Sequence, residues 1–153
     1  MQWKHPPIIK IYEALGALTD KRIMVSKDTA KVYSSSGNKF YDVMYDPASN
    51  SIMTNDNGSF YKGYLGYPAI AFLMAIGKLS YTAAIAEEMK GIRWKDINQK
   101  FKNDFEKTLE HILADKSPHE REKIDDEVKK IDAQIRAQTF NLLGEKMRPP
   151  EGY

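Results

Sequence analysis

Lys39-Phe40-Tyr41-Asp42-Val43-Met44-Tyr45-Asp46 places Tyr41, Val43 and Tyr45 on one face. A period of two is the signature of a strand that buries one side. Working outward, residues 22–26 and 30–35 are rich in strand formers, and Ser36-Gly37-Asn38 between them and Lys39 is a turn signal. On the other side Asp46-Pro47-Ala48-Ser49-Asn50 reads as a turn and residues 51–54 as a short strand. Asn57-Gly58 is a tight-turn dipeptide. The stretch predicts a small antiparallel meander of three or four strands.

Helical patterns flank it. Before the meander, Pro6-Pro7 precedes Ile8, Ile11, Tyr12, Leu15 and Leu18, which recur at helical spacing. Proline suits a helix start because its missing N–H would have no intrahelical partner there. These residues predict a helix over 7–18 with one apolar stripe. After the meander, 68–76 reads as a buried helix closed by Gly77, and 80–90 as another closed by Gly91.

From Trp94 onward the pattern changes. Ile97, Phe101, Phe105, Leu109, Ile112 and Leu113 step by three and four. Ser117-Pro118-His119-Glu120 is a capping box, the most specific local signal in the chain. Beyond it Ile124, Val128, Ile131, Ile135 and Leu142 keep a near-heptad seam interrupted at Gln138. The short connection predicts an antiparallel pair. The expected class is therefore α+β: an antiparallel meander packed by helices, followed by a long C-terminal antiparallel helical hairpin. The expected organisation is an α+β domain over 1–91, the hairpin over 92–145 and a flexible tail over 146–153.

Composition bounds the chemistry. The 153 residues suit one domain, and the formal net charge of +2 carries no strong electrostatic footprint for nucleic acid. With no cysteine, disulfides, thiolate catalysis and cysteine-ligated metals are excluded. The longest apolar run, 69–76, falls well short of the roughly 18 residues of a membrane span. The first residues lack the apolar centre of a signal peptide. Cytoplasmic residence, without membrane association, is the expectation.

No catalytic or metal motif is intact. The three histidines, His5, His111 and His119, include no i, i+4 pair for a zinc site. The carboxylates Glu120, Glu122, Asp125, Asp126 and Glu127 crowd a helix start, where the helix dipole favours them. Asn55-Asp56-Asn57-Gly58-Ser59 has the flavour of a calcium loop. With Gly58 as its sixth residue, however, the first is Met53 and the twelfth Tyr64, and neither is a carboxylate. Gly58, Gly63 and Gly66 fit neither a phosphate loop nor a dinucleotide fingerprint. No cofactor and no metal are expected. Asp42, Asp56 and Asp96 are acids that only a fold could bring together.

The stretch left over is Phe60-Tyr61-Lys62-Gly63-Tyr64-Leu65-Gly66-Tyr67-Pro68. Its four rings are interleaved with glycines and one lysine. Such rings can stack bases or grip a peptide; equally, they can pack the sheet against the next helix. Together with the hairpin before it and the Pro-Ala-Ile-Ala-Phe-Leu-Met run after it, this stretch resembles a SWIM-type zinc finger over about residues 30–75. Asn55, Asn57, Tyr67 and Ala69 fall where that family has its three cysteines and its histidine, so every ligand is missing. The resemblance implies a metal-free derivative with a role in binding nucleic acid or protein.

Two functions follow as expectations. The first is a noncatalytic binding module, not an enzyme, that meets nucleic acid or a protein partner through Tyr61, Lys62, Tyr64, Tyr67 and Lys39, with Lys31 nearby. The second is an assembly protein that forms a homodimer through the helical hairpin. Phe140, Leu143 and Ile112, which lie off the main seams, motivate that dimer.

Overall fold

The computed structural model describes all 153 residues, Met1–Tyr153. Its centre is helix α1 (Ile9–Thr19), which follows Pro6-Pro7 as expected. It does not bury one stripe only. Ile9 and Ile11 to Ala17 are all buried, because the later helices pack around it. A helix enclosed all round has no solvent face for its charged residues, and this places Glu13 in the interior.

The strands are β1 (Ile23–Ser26), β2 (Thr29–Tyr33), β3 (Phe40–Asp46) and β4 (Ser51–Thr54), an antiparallel meander. The alternation in β3 is realised: Tyr41, Val43 and Tyr45 point inward, opposite Val32, Ala30 and Ile52. A fifth strand, β5 (Asn141–Leu142), pairs parallel to β4, giving the order β1-β2-β3-β4-β5. Leu142 therefore belongs to the sheet, not to a helical seam. Two residues carry no periodicity that could announce a strand.

Asn57-Gly58 does not make a hairpin turn. Asn57 is right-handed helical and leads into one π-helical turn, Gly58–Lys62, closed by Gly63 at φ 76°. Helix α2 (Tyr67–Ala75) follows and is buried from Pro68 to Met74. The helix expected over 80–90 is reduced to α3 (Ala83–Ala86) and a 3-10 turn, Glu87–Met89.

The C-terminal half shows where pattern reading misleads. The stripe from Ile97 to Leu113 is split into α4 (Trp94–Lys100) and α5 (Phe105–Leu113). Lys102 and Asn103 take left-handed φ values of 53° and 62°, and Asp104 caps α5 by accepting from Lys107 N at 3.3 Å. Helix α6 (Pro118–Arg136) starts at the capping box, with Ser117 Oγ accepting from Glu120 N at 3.1 Å. It is a single long helix. Its seam of Ile124, Val128, Ile131 and Ile135 is buried in the common core and packs on α1 and α3, so the long hairpin is not formed as expected. Each of those side chains contributes about 1.5–3 kcal/mol through burial. Phe140 is also buried, and Ile112 packs against the same core, so these residues are covered by their own chain. No helix is long and apolar enough to cross a membrane.

Candidate ligand pocket

A cavity of about 390 Å³ opens between α1, the strand ends of the meander, the π turn and α4. Its size is typical of a small-molecule site. Its lining is not. Lys10 and Glu13 come from α1, Arg22 from the turn into β1, and Asp56 from the end of β4. Trp94, Lys95 and Asn98 come from α4, while Tyr41, Tyr61 and Tyr67 add aromatic lining.

Lys10 and Glu13 sit one helical turn apart, with Nζ 2.8 Å from Oε2. Their side chains are only 13% and 6% exposed. Burial by itself would lower the Lys10 pKa, but Glu13, Tyr64 and Asp56 together hold it above the ordinary lysine value. Lys10 is therefore the partner of Glu13 Oε2, the ammonium donating to the carboxylate at that distance. Glu13 Oε1 accepts from Asn98 Nδ2 at 3.4 Å, which turns Asn98 Oδ1 away with no donor of its own.

Asp56 is buried and fully occupied. It accepts from Ser59 N at 3.1 Å, Ser59 Oγ at 2.7 Å and Thr54 Oγ1 at 2.9 Å, and so holds the π turn in place. Two glycines make room for this arrangement. A Cβ on Gly66 would lie 2.2 Å from Asp56 Oδ2, and one on Gly58 would lie 2.4 Å from the Tyr64 hydroxyl. On α1, a Cβ on Gly16 would meet Trp94 Nε1 at 2.7 Å. Arg22 is committed to structure: it donates to Tyr33 O at 2.6 Å and pairs with Asp20 at 3.4 Å.

Two rings of the wall are packed on each other. Tyr41 and Tyr67 meet edge to face at 6.2 Å. Burial, then the charges of Asp56 and Glu13, raises the Tyr41 pKa; burial, then Tyr41, raises that of Tyr67. Both hydroxyls therefore stay protonated through the ordinary range. At the mouth, Lys95 is pushed down to about 8 by burial and by neighbouring Lys39.

Of the residues expected to bind, Tyr61 and Tyr67 line the cavity. Lys39 lies at its mouth, with Nζ 5.6 Å from the Tyr41 ring. Tyr64 sits behind the wall, its ring under Gly58 and its hydroxyl beside Lys10. Lys62 is exposed and outside the lining. Lys31 lies over the Phe40 ring instead. The three dispersed acids do not converge: Asp56 lines the cavity, Asp42 lies on the sheet's other side, and Asp96 pairs with Arg93. Of the four positions aligned with zinc ligands, Asn57 and Tyr67 are on the cavity wall. Asn55 instead accepts from Asp42 N at 2.8 Å, and Ala69 is buried in α2.

Sequence reasoning missed Lys10, Glu13, Trp94, Lys95 and Asn98. A signal did exist for two of them. Lys10 and Glu13 interrupt the apolar run from Ile8 to Leu18 at i, i+3, and charges inside an all-round apolar helix must meet each other or a ligand. The other charged clusters have structural roles. Glu127, from the α6 carboxylates, accepts from Thr82 N and Thr82 Oγ1 at the start of α3. His5 joins Asp132 at 2.6 Å and ties the N-terminal segment to α6. No three His, Asp or Glu side chains gather as a metal cluster would require.

A family model described as Uncharacterised conserved protein UCP014422 matches residues 3–141. The chain belongs to that family. The match spans every element from the N-terminal segment to the first residue of β5, so all the residues that line the cavity fall inside it. No curated protein and no solved structure matches the chain.

Proposed function

We propose that this chain is a noncatalytic binding module whose ligand is a small heteroaromatic molecule of nucleoside size, held in the cavity between α1 and α4. One observation carries the reading. Six buried side-chain polar atoms have neither a hydrogen-bond nor an ion-pair partner within the chain, and three of them belong to residues lining this cavity. They are Trp94 Nε1, Lys95 Nζ and Asn98 Oδ1. A buried polar group without a partner costs about 1–3 kcal/mol, more when charged. A fold tolerates such costs in one place when a bound molecule satisfies them.

The chemistry of the lining supports the ring. Tyr61, Tyr67 and Trp94 offer faces for stacking, a contact worth about 1–3 kcal/mol per base. Asn98 Oδ1 accepts from an exocyclic amine or ring N–H. Tyr61 is 65% exposed at the rim, placed to close over a ligand. This reading keeps the nucleic-acid class expected from the aromatic–glycine segment and moves recognition from its surface into the cavity beside it. No comparable observation favours assembly through the C-terminal helices, whose apolar seam is spent on the chain's own core.

Trp94 in the wall is a built-in reporter, and a Trp3→Phe background isolates its emission. Titration with adenosine, guanosine, cytidine and uridine should give saturable quenching for at least one. Asn98→Ala should weaken that binding by roughly 10-fold, the loss of one buried hydrogen bond. Tyr61→Ser, at an exposed rim position, tests stacking without threatening the fold. If calorimetry and emission are both flat for all four nucleosides to about 1000 times the protein concentration, the reading fails.

A further inference from the structure

Lys95 Nζ is buried, yet no acceptor reaches it. The ring of Tyr153 lies over it, with its centroid 4.4 Å away. Its charged neighbour is another cation, Lys39, close enough to push the Lys95 pKa down to about 8 together with burial. Lys39 Nζ itself has only carbonyls, donating to Gly152 O at 3.0 Å and Pro150 O at 3.3 Å. The one carboxylate nearby, Asp96, is engaged elsewhere: it accepts from Arg93 Nε at 2.5 Å and from the Tyr153 hydroxyl. Two ammonium groups side by side, with no anion between them, are an arrangement that folding alone does not favour.

Their place in the fold adds to this. Lys95 lines the cavity, and Lys39 stands over Tyr41 in the same wall. The segment covering both, 146–153, is held by side-chain contacts: Lys146 Nζ to Phe60 O at 3.2 Å, Asn55 Nδ2 to Arg148 O at 3.5 Å, Arg148 over the Phe60 ring at 5.4 Å, Lys39 on two carbonyls, and Tyr153. It has no regular secondary structure. The other cations of the cavity are already committed, Lys10 to Glu13 and Arg22 to Asp20 and Tyr33.

We propose that Lys39 and Lys95 form an anion subsite at the cavity mouth that binds the phosphate of a nucleotide, with the Tyr153 ring as its displaceable cover. This rests on the nucleoside reading of the cavity and extends it. The base stands against Asn98 and the rings inside, and the phosphate reaches outward to the two lysines. Both lysines then exchange a like-charged neighbour and weak acceptors for charge-assisted hydrogen bonds. Binding the phosphate and seating the Tyr153 ring compete for one position, so the segment 146–153 sets the affinity.

Calorimetry on the full chain compares each nucleoside with its 5′-monophosphate, and inorganic phosphate is titrated alone. The monophosphate should bind roughly 10- to 100-fold tighter than its nucleoside, the range of charge-assisted hydrogen bonds. Lys95→Gln and Lys39→Gln should each cut that ratio by roughly 10-fold, while Lys78→Gln, at a remote exposed site, keeps it. Tyr153→Ala should raise monophosphate affinity. A nucleoside that binds with no phosphate advantage, or an advantage that survives Lys95→Gln, overturns the subsite and leaves the cavity reading standing. If no nucleoside binds but inorganic phosphate does so in a Lys95-dependent manner, the subsite stands and the nucleoside reading falls. If neither binds, both fall. A single-stranded tetranucleotide identifies the source of the phosphate. Binding no tighter than the monophosphate assigns a free nucleotide, and tighter binding assigns a strand.

Discussion

Two hollows of nearly equal size lie on opposite sides of the same sheet. The cavity beside α1 has about 390 Å³, and a groove on the open side about 410 Å³. The groove is walled by Met24, Met44, Met53, Met147 and Val25, with Lys31 and Asp42 at its border. No buried polar atom among its lining residues lacks a partner, whereas the cavity holds three. Volume therefore says nothing about function here. A shallow apolar groove of flexible methionines is an ordinary consequence of an uncovered sheet face. A buried set of polar groups with unmet hydrogen bonds carries a free-energy cost that a bound ligand would relieve.

The comparison is broken most directly at Lys10. Lys10→Met leaves the Glu13 carboxylate buried without its counter-charge and should destabilise the fold by about 3–5 kcal/mol. The paired change Lys10→Met with Glu13→Leu should recover most of that loss, because it removes both desolvated charges. Urea unfolding of the two variants beside the native chain measures both terms. A cost below about 1 kcal/mol for the single change, the level of a solvated surface pair, would mean that the cavity is no more demanding than the groove.

A smaller effect sharpens the comparison through pH. The Lys95 pKa is lowered in the fold, from 10.5 to about 8, by burial and then by Lys39. Between those values the unfolded chain holds more protons than the native one, so this group's contribution to stability rises with pH. Below pH 8 the native state bears the full cost of a charged Lys95. Lys95→Gln should therefore raise the melting temperature relative to the native chain at pH 7, and the gap should close as pH climbs toward 10.5. Tyr41, Tyr64 and Tyr67, whose pKa values are raised by burial, act the other way above pH 10, but equally in both proteins. A gap that stays constant with pH would show that Lys95 titrates normally.

The smallest effect is expected in the groove. Met44→Ser, on the open face, should change stability by no more than about 0.5 kcal/mol, as exposed substitutions usually do. It should leave nucleoside and nucleotide binding unaltered. A loss of binding on this side of the sheet would move the functional surface to the groove.

What could be read from residues alone was whatever depends on near neighbours in the chain. The alternation in β3 dictated which of its residues face the core, since successive strand side chains point to opposite faces. Ser117-Pro118-His119-Glu120 marked the start of α6 because a cap is completed within four residues. The α+β class followed from such signals. The break at Lys102 and Asn103 was not legible, because the stripe of Ile97, Phe101, Phe105 and Leu109 continues across it. Periodicity records which residues are apolar, and two short helices at an angle can bury the same stripe as one long helix. Nor could the seam of α6 name its partner. Ile124, Val128, Ile131 and Ile135 pack as well on α1 as on a neighbouring helix, since hydrophobic contact is not directional. The candidate site lay furthest from reach. Tyr61 and Tyr67 stood out by local density, but Glu13 meets Asn98 across 85 positions and Lys39 meets Pro150 across 111. Only the tertiary structure encloses α1 on every side, and that enclosure turns an ordinary Lys10–Glu13 helical pair into the buried charge at the centre of a pocket.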